Sequence, residues 1–182
     1  LSQKVIDEIK AAKIHFLFYH PKISPYQMKR ISLRRLHRKM FLIDHRIAYI
    51  GGINIIDDAN VPNGKAPRID YAAQLEGPVV YSISQSMTKL WKRVSWAHLE
   101  KSYVPKYIRN ATVSFPNGTK LSFIERDNFR HRQDIEKAYL HAIQNAKHEI
   151  LIANAYFIPG KKFERALIIA ARRGVSVTLL LK

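Results

Sequence analysis

The sequence predicts an α/β fold, in which a mixed β-sheet is flanked by helices. Beyond residue 130 the pattern alternates between a helix at about 131–147, the strand-like "EILIANAYFIP", a helix in "KKFERALIIAARRG" and the strand-like "VSVTLLL". Helices that alternate with short apolar strands are typical of βαβ units with a parallel or mixed sheet. Earlier in the chain, "LHRKMFLI" and "RIAYIGG" are strand-like runs that meet at Asp44-His45, which adds an antiparallel hairpin.

The other elements follow from local pattern. "SQKVIDEIKAAK" has apolar residues at helical spacing, and "IHFLFY" at 14–19 predicts a short buried strand. The prolines of 20–35 predict a loop. This opening helix and strand, Val5 to Tyr19, loosely match Ala166 to Leu181, which indicates an internal repeat.

The middle of the chain predicts a loop, a strand, a long helix and a second hairpin. Residues 57–69 hold the Pro, Gly and Asn of an exposed loop, and "DYAAQLEG" is strand-like. Pro78 opens a helix whose apolar residues continue to Val94. "TVSFPNGTKLSFI" predicts a hairpin that turns at Asn117-Gly118.

Composition limits the classes of function. The chain has 182 residues, enough to bury a core, and no cysteine, which excludes disulfides, thiolate nucleophiles and Cys-ligated zinc. No apolar run is long enough to suggest a spanning helix. The formal net charge of +17 predicts a polyanionic partner: nucleic acid, an anionic bilayer or a phosphate-bearing substrate. The chain starts at Leu1 and stops within an apolar run, so we expect a fragment of a longer protein.

The stretch "RRLHRKMFLIDHRIAYIGGIN" at 34–54 carries the clearest chemical pattern. On a strand, residues two apart face the same way, so His37 and Lys39 project to one side of the sheet. Asp44 falls at the turn, where a carboxylate can fix the tautomer of a histidine. A lone His-x-Lys would indicate only a basic hairpin with a half-exposed histidine.

The returning strand adds the remaining positions. Gly51 and Gly52 allow the backbone to approach closely, and Asn54 can donate a hydrogen bond. An imidazole nucleophile, a lysine charge and an amide donor suit a tetrahedral phosphate, since the cation and the amide stabilise its non-bridging oxygens. The combined spacing therefore favours a phosphate site.

The pattern H-x-K-x4-D-x6-G-G-x-N resembles the HKD signature of the phospholipase D superfamily. The surrounding "RRLHRKMFLIDHRIAYIGGINI", "DYAAQLEGPVV" and "IANAYFIPG" resemble its bacterial cardiolipin synthase branch. The resemblance implies a phospholipase D-like mixed sheet, with residues 1–110 as the first half and 111–182 as the beginning of a second half, truncated before its motif.

In that family two motifs, one from each half, form a single site that needs no metal or cofactor. One histidine is phosphorylated by the phosphatidyl group; the other protonates the departing alcohol and then activates the acceptor. The resemblance implies His37 as nucleophile, Lys39 and Asn54 as phosphate ligands beside Gly51 and Gly52, and Asp44 as the residue that orients a histidine. It also suggests that three residues line the active-site wall: Tyr156, Phe157 and Pro159. A structural turn explains those three equally well.

A second H-x-K-x4-D is absent from the sequence. His20-Pro21-Lys22 imitates its beginning, but position 27 is Gln. The histidines at 131, 141 and 148 lack a lysine two residues on, and we interpret them as solvated helix residues. Without a partner histidine, we expect this chain alone to be nearly inactive.

Other basic and aromatic residues have weaker interpretations. Six basic residues lie within eleven positions: Lys29, Arg30, Arg34, Arg35, Arg38 and Lys39. They could bind phosphates or anionic lipid, or form a solvated basic loop. Trp91 and Trp96 are interpreted as core and helix-end packing.

Three functions are compatible with these observations. The first is a fragment of a phosphatidyltransferase that acts on anionic phospholipids, peripheral on the cytoplasmic face of the cytoplasmic membrane. The second is a single-motif phosphodiesterase or nuclease in which two chains each supply one His37. The third is a non-catalytic basic module that binds lipid or nucleic acid. The apolar edge at Val175 to Leu181 also suggests a homodimer through that strand.

Overall fold

The computed structural model describes residues 2–19, 36–56, 69–98, 117–126 and 131–181. The chain divides into two units, Leu1–Phe123 and Ile124–Lys182. Unit 1 contains α1 (Gln3–Ala11), β1 (Met40–Ile43), β2 (Ile47–Gly51), β3 (Ala72–Glu76) and α2 (Val79–Ala97). Unit 2 contains α3 (Asp134–Asn145), β4 (Glu149–Asn154), α4 (Lys161–Arg172) and β5 (Ser176–Leu181). The predicted mixed α/β fold is confirmed; the assignment of 1–110 and 111–182 to two phospholipase D-like halves stays a prediction.

In unit 1 the strands form an antiparallel sheet in the order β1-β2-β3. The predicted hairpin at Asp44-His45 is confirmed: both residues have positive φ, 50° and 52°, as in the turns that match strand twist. The turn is closed by the Arg46 amide, which donates to the carbonyl of Ile43 at 2.9 Å. The hairpin fixes the register of β1 against β2, with Met40 opposite Ile50.

The long helix α2 packs against one face of this sheet. Ala48, Val80 and Ile83 are at most 2% exposed and form the centre of the contact. Six half-buried apolar residues complete it: Leu42, Ile50, Leu75, Val79, Met87 and Phe123. Because side chains alternate along a strand, the residues between them face away from α2.

Gly51 permits the close approach of β2 to β3. A Cβ atom at this position would overlap the carbonyl oxygen of Tyr71 and lie 2.5 Å from the Cα atom of Ala72. Both neighbours are backbone atoms, so a side chain at position 51 would require the strands to separate.

Unit 2 is a βαβ unit, as the alternating pattern predicts. β4 and β5 are parallel, with Glu149 opposite Ser176, and the helices bury a shared apolar core. That core contains Ile143, Ala166, Leu167, Ala170 and Val175. Arg173 donates from Nη2 to the carbonyls of Ile143 and Ala146, 3.1 Å each, which ties the end of α4 to the end of α3.

Two predicted elements differ in the structure. Residues 14–18 form no strand within the described ranges, and Ile14 and Phe18 are 56% and 50% exposed. An extended segment becomes a β-strand only when a second strand pairs with it. The local sequence pattern does not show whether such a partner exists. The first arm of the hairpin predicted at Asn117-Gly118 lies outside the described residues, and the second arm, 119–124, is not a strand. In the described part of the chain, we find no helix with the length and apolar character that a membrane crossing requires.

We expect Ile83→Ala to lower the free energy of unfolding by about 2–5 kcal/mol, because it leaves a cavity between α2 and the sheet. Urea titration followed by tryptophan fluorescence measures this, since both tryptophans lie on α2. Ser82→Ala, an exposed neighbour on the same helix, is the matched control. Equal urea midpoints for the two variants would contradict the proposed core.

We also expect Gly51→Ala to lower stability by about 1–3 kcal/mol, because the new methyl group meets backbone on β3. Gly160→Ala is the control, since no atom lies within 4 Å of a Cβ there and the change removes no side-chain cap, so its cost stays below about 1 kcal/mol. Thermal melting followed by circular dichroism compares the two variants. If Gly160→Ala melted at a lower temperature than Gly51→Ala, the close approach of β2 and β3 at Gly51 would not be the constraint we describe.

Candidate active site

His37 and Lys39 lie directly ahead of β1, at the end of the hairpin away from its turn. The Lys39 carbonyl accepts from the Gly51 amide at 3.4 Å, so the β1–β2 register continues to this residue. The side chain of His37 is exposed and that of Lys39 is half-buried. Lys39 Nζ lies 3.1 and 3.2 Å from His37 Nδ1 and Nε2. The ammonium group therefore lies beside the ring, as predicted from the two-residue spacing.

Arg38, between them, points to the other face. Its Nη1 donates to Ser86 Oγ on α2 at 3.0 Å, and Ser86 is 4% exposed. This bond holds the start of β1 against the helix. Since neighbouring side chains alternate, it also directs His37 and Lys39 away from α2.

The turn end of the hairpin is held in a similar way. His45 Nδ1 lies 3.0 Å from Ser84 Oγ, and Ser84 is 3% exposed. Two of the three buried serines on α2, Ser84 and Ser86, thus have a partner on the hairpin, as buried polar groups require. The helix is therefore attached near each end of β1.

The returning strand brings Gly51 and Gly52 to the Lys39 end of the hairpin. Gly51 ends β2, and Gly52 donates its amide to the carbonyl of Tyr71 at 2.9 Å. Asn54, two residues on, is exposed. The bond between the Gly51 amide and the Lys39 carbonyl places the glycines at the Lys39 end of the hairpin. The role of Asn54 beside His37 stays a prediction.

Asp44 lies at the opposite end. The four residues of β1 separate it from Lys39, and four residues of strand span about 13 Å. Its carboxylate therefore does not reach His37 of the same chain, and the resemblance-based role of orienting a histidine does not fit that pair. What the structure shows for Asp44 is a place in the hairpin turn, with the positive φ that Asp tolerates well.

Asp70, which sequence spacing did not select, lies at the His37 end instead. Asp70 lies two residues ahead of β3, and a Cβ atom on Gly52 would overlap the Asp70 carboxylate. Asp70 Oδ1 also accepts from the amide of Tyr71 at 2.8 Å. One sequence feature could have identified Asp70 as a candidate site residue: it begins "DYAAQLEG", one of the segments that carries the family resemblance.

Other predicted residues either lie outside the described ranges or lie elsewhere in the structure. Of the basic cluster, only Arg38 and Lys39 lie in the described residues. His20-Pro21-Lys22 lies outside them. His131 and His141 are exposed beside or on α3, where His131 Nδ1 pairs with Asp134 Oδ2 at 2.6 Å. Among the described ranges, no three His, Asp or Glu side chains are grouped to hold a metal ion.

Tyr156, Phe157 and Pro159 lie just beyond β4 in unit 2. They line a cavity of about 790 Å³ together with Phe163 and Tyr139, whose rings lie 6.3 Å apart edge to face. The concave setting is compatible with a substrate wall. Their place in the active site stays a prediction.

The chain is similar in sequence to known proteins. A family model described as "Cardiolipin synthase, PLD-like domain" matches residues 139–182, within unit 2. Cardiolipin synthase B of Escherichia coli (strain K12) is 36% identical over 191 residues, which cover 100% of this chain and 43% of that protein. Cardiolipin synthase B of Salmonella typhimurium is 37% identical over 182 residues, with the same coverage of 100% and 43%.

A more distant relative, cardiolipin synthase of Clostridium perfringens (strain SM101 / Type A), is 28% identical over 187 residues, 100% of this chain and 38% of that protein. The chain thus spans less than half the length of these relatives. No solved structure matches it. With His37, Lys39 and Gly51 at one end of the hairpin and similarity along its whole length to cardiolipin synthases, the chain belongs to the phospholipase D superfamily, in its cardiolipin synthase branch.

Proposed function

We propose that the chain is part of a cardiolipin synthase-like phosphatidyltransferase. It would transfer a phosphatidyl group from one glycerophospholipid to the hydroxyl of another, through a phosphohistidine on His37. The observation that carries the proposal is the Lys39 ammonium beside the His37 ring, on the sheet face away from α2. The names of the relatives support the lipid reaction over other phosphodiester reactions.

In the first step a ring nitrogen of His37 attacks phosphorus. The N–P bond forms as the P–O bond to the departing alcohol breaks, and that alkoxide takes a proton. Lys39 and Asn54 stabilise the negative charge on the two non-bridging oxygens, which typically contributes about 10²–10³-fold per donor. The glycines at 51 and 52 leave room for the phosphate near the backbone.

In the second step an acceptor hydroxyl attacks phosphorus and loses its proton; a P–O bond forms as the N–P bond breaks, which frees the His37 ring. Both proton transfers need a second histidine, and the sequence has no second H-x-K-x4-D to provide one. The lost general acid–base help costs about 10²–10⁴-fold. This is why we propose that the 182-residue chain alone holds half of a reaction centre.

The proposed substrates and location follow from charge. A net charge of +17 favours attachment to anionic phospholipid at a membrane surface, and we propose peripheral attachment on the cytoplasmic face. Binding of nucleic acid would belong to the alternative, a dimeric single-motif phosphodiesterase. A non-catalytic basic module is the third alternative, and a homodimer through β5 remains a prediction.

A substrate whose leaving group needs no proton tests His37 directly. With bis(4-nitrophenyl) phosphate we expect about one equivalent of 4-nitrophenolate per chain, released as a single burst, because the first step proceeds without a general acid. Intact mass spectrometry should show the aryl phosphoryl group on the chain. His37→Ala should abolish the burst, whereas His141→Ala on α3 is the control that retains it.

Two outcomes would overturn this proposal. Repeated turnover that disappears in His37→Ala would mean that two chains assemble one working site, which favours the dimeric phosphodiesterase. A burst of equal size in His37→Ala would remove His37 as the nucleophile.

The same burst assay distinguishes the roles of Asp70 and Asp44. We propose that Asp70 orients His37, because its carboxylate lies beside Gly52 at the end of the sheet that holds His37. Asp70→Asn should slow the burst by about 10- to 100-fold, the range typical when the partner of a metal-ligating histidine is removed. Asp44→Asn should slow it less, and a larger effect from Asp44→Asn would restore the role that the family resemblance implied.

A further inference from the structure

A second concave site lies in unit 1, apart from His37. It is a cavity of about 440 Å³ bounded by α1, by residues 14–18 and by the last turns of α2. Ser95 in its wall is nine residues beyond Ser86, which holds the His37 end of the hairpin. At 1.5 Å per residue, the two serines are about 14 Å apart along α2. The cavity is therefore a separate site, with a volume in the range of small-molecule pockets.

One part of its wall is apolar. Ile6, Phe16, Leu17 and Trp91 all line the cavity. At its rim Ile14 and Phe18 are 56% and 50% exposed, and the Phe18 ring lies edge to face with Phe16 at 5.7 Å. An apolar wall continuous with an exposed apolar rim suits a hydrocarbon chain that enters from a bilayer rather than from water.

The polar part of the wall is basic. Lys10, His15 and His98 line the cavity, and no Asp or Glu is among the described residues that do so. His98 Nε2 lies 2.7 Å from the Phe18 carbonyl, so this nitrogen donates and joins the end of α2 to the 14–18 segment. The charge of Lys10 is therefore complementary to an anion.

Trp91 gives an independent indication of a missing acceptor. Its indole Nε1 is buried and has no hydrogen-bond partner in the described part of the chain. Native proteins leave few buried donors unpaired, and such a group calls for an explanation. An ester or phosphate oxygen of a ligand in the cavity would supply the partner.

We propose that this cavity binds an anionic phospholipid of the bilayer, with one acyl chain against the apolar wall and the acidic headgroup near Lys10. The site is a lipid-binding site beside the reaction centre and takes no part in the chemistry at His37. It would hold the chain at a membrane through one bound lipid, in addition to the general attraction of its positive charge.

The two tryptophans of the chain make the test specific. In Trp96→Phe the remaining tryptophan is Trp91 in the cavity wall; in Trp91→Phe it is Trp96, which is 78% exposed. Each variant is titrated with vesicles of phosphatidylglycerol that carry bromine on one acyl chain. Bromine quenches only tryptophans that it approaches closely, so we expect loss of more than half of the Trp91 emission. The same vesicles made of brominated phosphatidylcholine should leave Trp91 unchanged.

Matched substitutions in the Trp96→Phe chain locate the bound lipid. Ile6→Phe places a ring in the cavity wall and should weaken the quenching, whereas Ile9→Phe, half-buried on α1 outside the cavity, should keep it. Lys10→Ala should need several-fold more lipid for half-maximal quenching than Lys4→Ala, an exposed lysine of α1 that does not line the cavity. This second pair carries the test if circular dichroism shows that Ile6→Phe does not fold.

Quenching of Trp96 alone would mean adsorption to the surface and would overturn the proposal. Equal quenching of Trp91 by brominated phosphatidylcholine would show that the cavity does not require an acidic headgroup, which would overturn that part of the proposal. His37→Ala should leave Trp91 quenching unchanged, so failure of this site and failure of the proposed reaction can be told apart.

Discussion

The contact between α2 and the β1–β2 hairpin determines where the chemical groups of unit 1 lie. Val80 and Ile83 meet the sheet at Ala48, whose small side chain allows the helix to approach. The same contact buries Ser84 and Ser86, which would be costly without partners. His45 and Arg38 supply those partners, one near each end of β1. Once Arg38 faces the helix, the alternation of a strand leaves His37 and Lys39 on the open face.

The other side of the hairpin is limited by space rather than by polar bonds. At Gly51 the backbone of β3 occupies the volume of a side chain, and at Gly52 the Asp70 carboxylate does so. The two glycines therefore have different tasks: one sets the spacing between strands, and the other makes room for a charged group beside the His37 end. A motif that requires both glycines is consistent with both constraints. Neither glycine in these strands needs an unusual φ to fill its role.

Sequence pattern predicted what depends on near neighbours. The helices, the hairpin at Asp44-His45 and the parallel pair β4–β5 follow from periodicity and turn residues, and the two-residue spacing placed Lys39 beside His37. It failed where partners are distant in sequence. Ile14 and Phe18 have strand-like neighbours but no paired strand in the described ranges. Asp70 is 33 positions from His37, and only the strand register shows that it, not Asp44, shares the same end of the sheet.

The net charge of the chain does not by itself show which of its cations are available to bind an anion. The net charge of +17 suggests a surface that attracts polyanions, yet some of its cations have structural partners. Arg38 holds β1 to α2, and Arg173 binds the carbonyls that end α3. Lys39 is different, because its ammonium lies beside the His37 ring and donates to the His37 carbonyl at 3.1 Å, so it joins no second element. This cation can hold a phosphate against the ring, which is what the proposed phosphoryl transfer through His37 would require.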